Sequence, residues 1–223
     1  MILQRKEVTD LEEAAAEAKK GLKTEDELTQ LIDKTVQNFQ DYVNKRSQLD
    51  VLALFVPTSC TPLETSVLWI AGCRPSSFIR FEYALCGMDT DSHLNEFLQG
   101  KRGVCNLTAK QMNMIDTLQA KTIKQERILS SRLASLQEDI VDQRFASKIK
   151  NKCENADEDL DEHSRCMAGV MEEADELRMK TLKEIVLIIL EPLQAVEYLT
   201  AAKKMRLCLQ KWGEKRDHQH TNK

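Results

Sequence analysis

Cys73 and Arg74 form the adjacent pair in this sequence that most resembles a reactive site. A cysteine becomes a nucleophile when neighbouring positive charge lowers its thiol pKa, and Arg74 could supply that charge beside a helix N-terminus. No histidine lies nearby in sequence to act as a base. We interpret Cys73-Arg74 as a tight joint between two helices, with a small packed cysteine in the corner, and a functional thiol is the alternative.

Three alternating aspartates, Asp157, Asp159 and Asp161, match the first half of a calcium-binding loop. Such a loop needs glycine at its sharp turn and a bidentate glutamate at its end. Glu162 and Ala168 occupy those two positions here. The pattern therefore does not predict a calcium site.

Cys153, His163 and Cys166 could supply three zinc ligands, but a clear fourth ligand is missing. The glycine-flanked basic stretch at 100–103 lacks the length and the following serine or threonine of a phosphate-binding loop. The sequence contains no G-x-S-x-G motif and no H-E-x-x-H motif. We therefore predict no cofactor, no metal site and no enzymatic activity.

The elements that position these residues are predicted to be helices. The 223 residues include only 7 glycines and 4 prolines, which leaves little sequence for hairpins or βα loops. A formal charge of −4 gives no overall attraction to nucleic acid or anionic membranes. The N-terminus lacks the apolar core of a signal peptide, and the aliphatic run at 185–190 is far shorter than the ~20 residues of a membrane span. We expect a nuclear and/or cytoplasmic protein with free thiols.

Three capping boxes predict helix starts, because in each a threonine is followed three residues later by a side chain that can bond back to the threonine amide. The boxes are Thr24 with Glu27, Thr61 with Glu64, and Thr108 with Gln111. Apolar residues recur at helical spacing after the first and third boxes. The third helix is predicted to run to about residue 141.

The helix that begins at Thr61 is predicted to end at Gly72, which would adopt the left-handed conformation. Pro75 is then predicted to open the next helix, which runs toward Gly87. The inward-facing residues of the first of these helices are predicted to be Leu63, Val67, Leu68 and Ile70.

The C-terminal half begins with a stretch at 143–165 where helical spacing lapses and six acidic residues fall within 154–162. We interpret it as a solvated linker. Residues 185–190 are apolar on every face of a helix and are predicted to be surrounded by other helices. Pro192 prevents simple continuation, and a last helix is predicted to stop at Gly213.

Together these patterns predict an all-α protein, a single helical-bundle domain of long antiparallel helices with short capped joints. We divide the chain into an N-terminal extension at 1–23, a helical domain at 24–213 that contains the acidic linker, and a basic disordered tail at 214–223.

Two sequence blocks carry a resemblance to a known family: W-I-x-G-x-R-P-S at 69–76 and A-D-x-L-R-x-x-T-L at 174–182. In this order and at this separation, over about residues 25–217, the chain resembles the plant delay-of-germination domain family. The same domain forms the C-terminal part of the TGA-type bZIP transcription factors. The N-terminus here has no basic region and no leucine heptads, so the chain resembles the standalone members, and no direct reading of DNA is expected. Family members often have threonine or serine where this chain has Glu191, which implies a weaker helix cap or a kink there.

The resemblance implies a helical regulatory module that works through protein contacts and is linked to transcriptional regulation, seed dormancy and hormone signalling. The implied partners are transcriptional coactivators with ankyrin repeats, as for the TGA factors, or signalling phosphatases, as for the dormancy members. We interpret Trp69, Leu177 and Leu182 of the two blocks as core residues. Asp175 and Arg178 fit either a surface ion pair or a binding feature.

The C-terminal end is locally basic: residues 203–223 hold seven Lys and Arg against two acidic residues, a charge of +5. This pattern fits pairing with a helix C-terminus, contact with a membrane surface, or a calmodulin target with Leu199 and Trp212 as anchors. We predict partner-binding roles for Arg74, Arg178, Lys203, Lys204, Arg206 and Lys211.

Two classes of function compete. The preferred class is a non-enzymatic regulatory protein that offers helical surfaces to protein partners. The alternative is a sensor whose helical core holds a small apolar or haem-like ligand, or a calmodulin target that uses the C-terminal basic helix.

Overall fold

The computed structural model describes residues 2–46, 60–87, 106–139 and 156–221. Within these ranges the chain forms seven α-helices and no strand, so the predicted all-α class is confirmed. The helices are α1 (Ile2–Lys19), α2 (Glu25–Arg46), α3 (Pro62–Ser66), α4 (Pro75–Leu85), α5 (Ala109–Asp139), α6 (Ala156–Lys183) and α7 (Pro192–Thr221). Helix α6 continues directly into a π-helical turn at Glu184–Ile189. No helix in the described ranges is long and apolar enough to cross a membrane.

The three predicted capping boxes are all present. The Thr24 amide donates to Glu27 Oε2 at 2.8 Å, and the Glu27 amide donates to Thr24 Oγ1 at 3.3 Å. The same reciprocal bonds join Thr61 with Glu64 and Thr108 with Gln111. Each box satisfies amides that have no partner inside the helix, so local chemistry sets where α2, α3 and α5 begin.

The main core lies where α7 and the end of α6 meet α1, α2, α4 and α5. Its fully buried side chains include Leu11, Ile32, Ile79, Ile115, Ile185 and Tyr198. Leu11 and Ala14 bring α1, part of the predicted N-terminal extension, into this core. A second, smaller cluster forms between α5, α6 and the turn after α3, from Ile70, Leu129, Val170, Met171 and Ala174.

Helix α3 is much shorter than predicted, because it ends at Ser66 and contains no buried residue. Val67, predicted to face inward, is 52% exposed. Ile70 is buried as predicted, but it lies in a turn rather than in a helix. The next helix begins at Pro75 and ends before Gly87, as predicted.

The predicted linker at 143–165 was wrong for residues 156–165, which form the first turns of α6. Acidic residues are favourable near a helix N-terminus, where they oppose the positive end of the helix dipole. The acidic composition therefore supports the start of a helix here. Residues 140–155 lie outside the described part of the chain.

The predicted stop at Gly213 was also wrong, since α7 continues to Thr221. A Cβ atom on Gly213 would lie 2.1 Å from Thr61 Oγ1. Glycine is needed at this position because α7 passes directly over the start of α3. Residues 214–221, assigned to a disordered tail, are consequently helical.

The apolar run at 185–190 is only partly surrounded by other helices. Ile185, Val186 and Ile189 are buried, whereas Leu187 is 39% and Ile188 62% exposed. The prediction that the run is covered on every face was wrong for these two residues.

The chain bends sharply before Pro192, where Leu190 is extended, with ψ at 146°. At the start of α7, Gln194 Oε1 accepts the Glu191 amide at 2.9 Å, which is the bond that the N3 side chain of a capping box makes to the N-cap residue. Gln111 Nε2 donates to the same Gln194 oxygen at 2.7 Å. The bend therefore joins the start of α7 to the start of α5.

Candidate functional site

The W-I-x-G block forms a two-residue reversal between α3 and α4. The Trp69 amide donates to the Gly72 carbonyl at 2.7 Å, and the Gly72 amide donates back to Trp69 at 3.1 Å. Between them Ile70 and Ala71 adopt positive φ angles of 45° and 56°. Such a conformation is unfavourable for a branched residue such as isoleucine and persists only where surrounding contacts impose it.

Arg178 of α6 supplies those contacts. Its Nε donates to the Cys73 carbonyl at 2.7 Å, and its Nη2 donates to the carbonyls of Trp69 and Ile70, the latter at 2.8 Å. The guanidinium also lies 5.4 Å from the centroid of the Trp69 ring, within range of a cation–π interaction. Arg178 is only 2% exposed. It binds the turn from within the protein.

Gly72 is required by this arrangement and does not act as the predicted left-handed helix stop. A Cβ atom at this position would lie 2.7 Å from Arg178 Cζ. Positive φ occurs instead at the two preceding residues, Ile70 and Ala71. The glycine thus leaves space for the guanidinium.

Asp175 completes a buried charged cluster, which we call the arginine–aspartate junction (Arg46, Asp175, Arg178). Asp175 Oδ1 accepts Arg178 Nη1 at 2.6 Å and also accepts Arg46 Nη2. Arg46, the last residue of α2, donates in addition to the Ala71 carbonyl. Burial lowers the pKa of the Arg178 guanidinium, and the adjacent Asp175 carboxylate acts in the opposite direction. The junction connects α2, α6 and the turn.

Glu126 of α5 holds the other side of the joint. Its fully buried carboxylate accepts the Ser76 amide at 2.6 Å, the Ser76 hydroxyl at 3.0 Å and Arg74 Nε at 2.7 Å. One turn later on α5, Ser130 Oγ accepts the Trp69 indole N–H at 2.9 Å. A carboxylate at the first turn of α4 is favourable because it satisfies an unpaired amide and opposes the helix dipole.

The two sequence blocks of the family resemblance therefore meet in space at one joint. Asp175 and Arg178 form a buried ion pair, so the surface ion pair considered from the sequence is excluded. The sequence reasoning missed Arg46 and Glu126. Arg46 stands three residues after Val43, and Glu126 stands four residues after Thr122, so both occupy positions of the buried helix face. A charged residue at such a position is the sequence signal that could have identified them.

Cys73 lies at the outer edge of this joint. The residue is exposed, so the predicted packed position was wrong. The pKa of its thiol is nonetheless raised, because protein atoms around the sulfur remove water, and the nearby Arg178 and Arg206 only partly oppose this effect. The geometry does not favour a thiolate nucleophile.

The predicted basic residues of α7 divide into two groups. Lys203 Nζ lies 2.7 Å from Glu7 Oε2, and Lys204 pairs with Glu12, so both lysines hold α1 against α7. Arg206 and Lys211 are exposed, and the Arg206 guanidinium lies 5.8 Å from the Tyr42 ring centroid. Of the six predicted partner-binding residues, Arg206, Lys211 and the half-exposed Arg74 are accessible, whereas Arg178 is enclosed.

The two anchors considered for a calmodulin target lie in different environments. Leu199 is 4% exposed and belongs to the main core, whereas Trp212 is 52% exposed. Simultaneous engagement of both would require the first half of α7 to leave the core.

No group of three His, Cys, Asp or Glu side chains in the described ranges is arranged to hold a metal ion. Cys153, one of the three zinc ligands considered, lies outside those ranges.

Comparison with known proteins assigns the family. The family model for seed dormancy control, DOG1, matches residues 7–84. Protein DOG1-like 1 of Arabidopsis thaliana is 37% identical over 98% of this chain and 87% of its own length. DOG1-like 2 and DOG1-like 3 of the same plant are 38% and 35% identical over 97% and 98% of this chain. The chain belongs to the DOG1 family.

Membership of the DOG1 family confirms the resemblance inferred from the two blocks. Transcription factor TGA9 of Arabidopsis thaliana is also similar, at 25% identity over 73% of this chain and 30% of its own length. Both relationships fit a plant regulatory role. The match to the DOG1 model begins at residue 7, inside α1, and the domain boundary at residue 24 stays a prediction.

Proposed function

We propose that this chain is a non-enzymatic regulatory protein of the DOG1 family that acts in the nucleus and/or cytoplasm by binding other proteins through exposed helical surfaces. Its partners would be signalling phosphatases or transcriptional coactivators, in pathways of seed dormancy, hormone response and transcription. The observation that carries the proposal is similarity of 35–38% over almost the whole chain to DOG1-like proteins. The description of the family as seed dormancy control and the name of the TGA relative support it.

The C-terminal end of α7 is one surface that fits an acidic partner. Lys211, Lys215 and Arg216 are exposed around Trp212, which is itself 52% exposed. An exposed aromatic ring supplies contact area, and three cations against Glu214 and Asp217 leave a net positive charge, whose attraction to acidic groups falls as salt rises. The paired Lys203 and Lys204 contribute to this surface less than their charge implies, because each already has a glutamate partner.

The test compares two sets of three basic residues. One variant carries Lys211→Gln, Lys215→Gln and Arg216→Gln, and the control carries Lys121→Gln, Lys124→Gln and Arg127→Gln on the exposed face of α5. Full-length protein is used to purify bound proteins from plant tissue, and mass spectrometry identifies them. Binding of each identified protein is then measured with purified components at two salt concentrations.

We expect the α7 variant to lose most of the affinity and salt dependence for at least one acidic partner, with melting unchanged, while the α5 control retains both. Equal loss in the two variants would show that only net charge matters and would reject this surface. Absence of any specific bound protein, together with a visible absorption band or a co-purifying lipid, would reject protein binding in favour of the ligand sensor.

A further inference from the structure

The π-helical turn at the end of α6 leaves an apolar surface open. Six aliphatic residues in succession, 185–190, give this turn more apolar side chains than the core covers. Ile188 is 62% exposed and Leu187 39% exposed, although neighbouring residues of the run are buried. π-helical turns are rare and are found frequently at functional sites. Two adjacent exposed aliphatic side chains at a π-helical turn make this surface a candidate for binding a partner.

A groove connects this surface to α2. One wall is formed by α2, through Gln40, Val43 and Asn44, and the other by residues of α6 and the π-helical turn from Met171 to Ile188. The groove has a volume of about 580 Å³. Its α6 side extends for about 25 Å at the rise of an α-helix, so a second helix of four to five turns could lie along it, whereas the α2 side extends for about one turn.

The base of the groove is apolar and adaptable. Met171 is 2% exposed and Met179 5% exposed, and Val43 lies opposite them on α2. Methionine side chains are flexible and polarizable, and they are common where a helix is received in a groove. With Leu187 and Ile188 they form an apolar strip along the groove, in which Asp175 and Lys183 stand between the apolar residues.

The rim of the groove is acidic at the end nearer Met171. Glu172 and Glu176 are exposed, lie one turn apart, and form no ion pair with any residue in the described ranges. By contrast, Glu173 on the adjacent face lies 2.6 Å from Arg132. Asp175 is already held by the two arginines of the junction. This end of the groove therefore favours a positively charged occupant.

The other end of the groove is closer to neutral. Glu184 stands near Lys180 and Lys183, and Lys183 already donates to Gln40 Oε1 at 3.3 Å. Lys183 keeps its charge in this bond, so three glutamates and two lysines give the rim a net charge of −1, and a fatty acid or other anion is disfavoured relative to a peptide with basic side chains.

We propose that this groove binds an amphipathic α-helix of a protein partner, with an apolar stripe against the exposed Leu187 and Ile188 and with Lys or Arg side chains facing Glu172 and Glu176. The proposal rests on the proposed function, since it names the kind of partner segment that such a regulatory protein takes. The matching segment carries apolar residues at helical spacing over four to five turns and basic residues at one end.

A displayed library of 18-residue helices tests this directly against the full-length protein. Apolar residues are fixed at positions i, i+3, i+4 and i+7 and their repeats, and the remaining positions are randomised. We expect binders with Lys or Arg concentrated at one end. Their affinity should fall at least about tenfold for Ile188→Ser, because a central apolar contact is lost. It should fall by a similar factor for the pair Glu172→Lys and Glu176→Lys, which leaves the apolar strip intact.

Ile128→Ser is the matched control, since Ile128 is an exposed isoleucine of α5, at 44%, away from the groove. This control should bind selected peptides like the unmodified protein. The inference is overturned if no helix is selected, if selected helices bind the groove variants as tightly as they bind the unmodified protein, or if they carry no basic bias. Self-association of the unmodified chain that Ile188→Ser abolishes would overturn it in favour of a second copy as the occupant.

The two proposals fail in different ways. If proteins purified from plant tissue bind the groove variants and the unmodified chain equally, the groove inference fails and the proposed function stands. If selected helices bind the groove but no plant protein is retained by the chain, the proposed function fails while the groove remains a helix-binding surface.

Discussion

Replacement of Asp175 by asparagine tests whether the arginine–aspartate junction holds the joint together. The side chains of Arg46, Asp175 and Arg178 are 9%, 7% and 2% exposed, so little water can compensate for the loss of the carboxylate. The asparagine oxygen can still accept one hydrogen bond, but its NH₂ group would face guanidinium donors. Two positive charges would then be buried without an anion between them.

The expected loss of stability is about 3–5 kcal/mol, the usual cost of removing one partner from a buried ion pair. For a chain of this length each kcal/mol lowers the melting temperature by about 2–4 °C, so melting should fall by about 10 °C. Urea denaturation monitored by circular dichroism measures the free energy of unfolding, and a thermal melt measures the melting temperature.

Glu173→Gln is the control, because it makes the same chemical change two residues away on α6. The Arg132–Glu173 pair is about half exposed on both sides, at 47% and 49%, and such pairs contribute about 0–1 kcal/mol. If Asp175→Asn costs no more than Glu173→Gln, the buried junction is not what fixes the turn, and the argument from burial is refuted.

Three further predictions follow from single contacts. Gly213→Ala should destabilise the protein because its Cβ would lie 2.1 Å from Thr61 Oγ1. Gly169→Ala, which adds a Cβ to a helix in open space, should stabilise the protein by up to about 1 kcal/mol. Urea denaturation should therefore give changes of opposite sign in the free energy of unfolding for the two variants. The double variant Lys203→Gln, Lys204→Gln should show faster hydrogen exchange of the α1 amides, whereas the double variant Arg206→Gln, Lys211→Gln should not. Equal exchange rates in the two variants would contradict an anchoring role for Lys203 and Lys204. Burial and the neighbouring Glu82 raise the pKa of Cys86 to about 12, so its thiol stays protonated at pH 9. An alkylating reagent at pH 9 should therefore modify the exposed Cys166 well before Cys86, and comparable labelling rates would refute this.

The starts of helices were predictable because their signals are local. Each capping box needs only a threonine and a side chain three residues later, and all three formed as expected. Helical periodicity likewise predicted α5, whose Ile115, Leu118, Thr122 and Leu129 are buried at the expected spacing.

The roles of the two critical glycines were not predictable from their neighbours. A glycine after a run of helical residues usually permits a left-handed stop, and both Gly72 and Gly213 were interpreted in that way. Each is instead needed because a distant side chain approaches closely, Arg178 in one case and Thr61 in the other. Those contacts exist only after α6 and α7 have packed, so local sequence does not contain them.

Candidate partner residues were predicted from charge alone, and charge does not distinguish a free cation from one that holds the fold. Arg178 is enclosed by the turn, and Lys203 and Lys204 are paired with α1, while Arg206 and Lys211 are exposed. The difference arises from helix packing, which brings acidic residues of α1 and α6 beside some basic residues and leaves others in solvent.

The residues of the family blocks and those of the proposed binding surfaces therefore have different roles. Trp69, Gly72, Asp175 and Arg178 are used within the chain, where they shape the joint between α3, α4 and α6. Because such buried contacts have little access to a partner, similarity in these blocks supports the fold of this chain more directly than it supports any one binding surface. Specificity requires exposed groups with unused interactions. The groove between α2 and α6 provides them, since Ile188 is an apolar side chain without cover and the nearby rim carboxylates are without ion pairs in the described ranges.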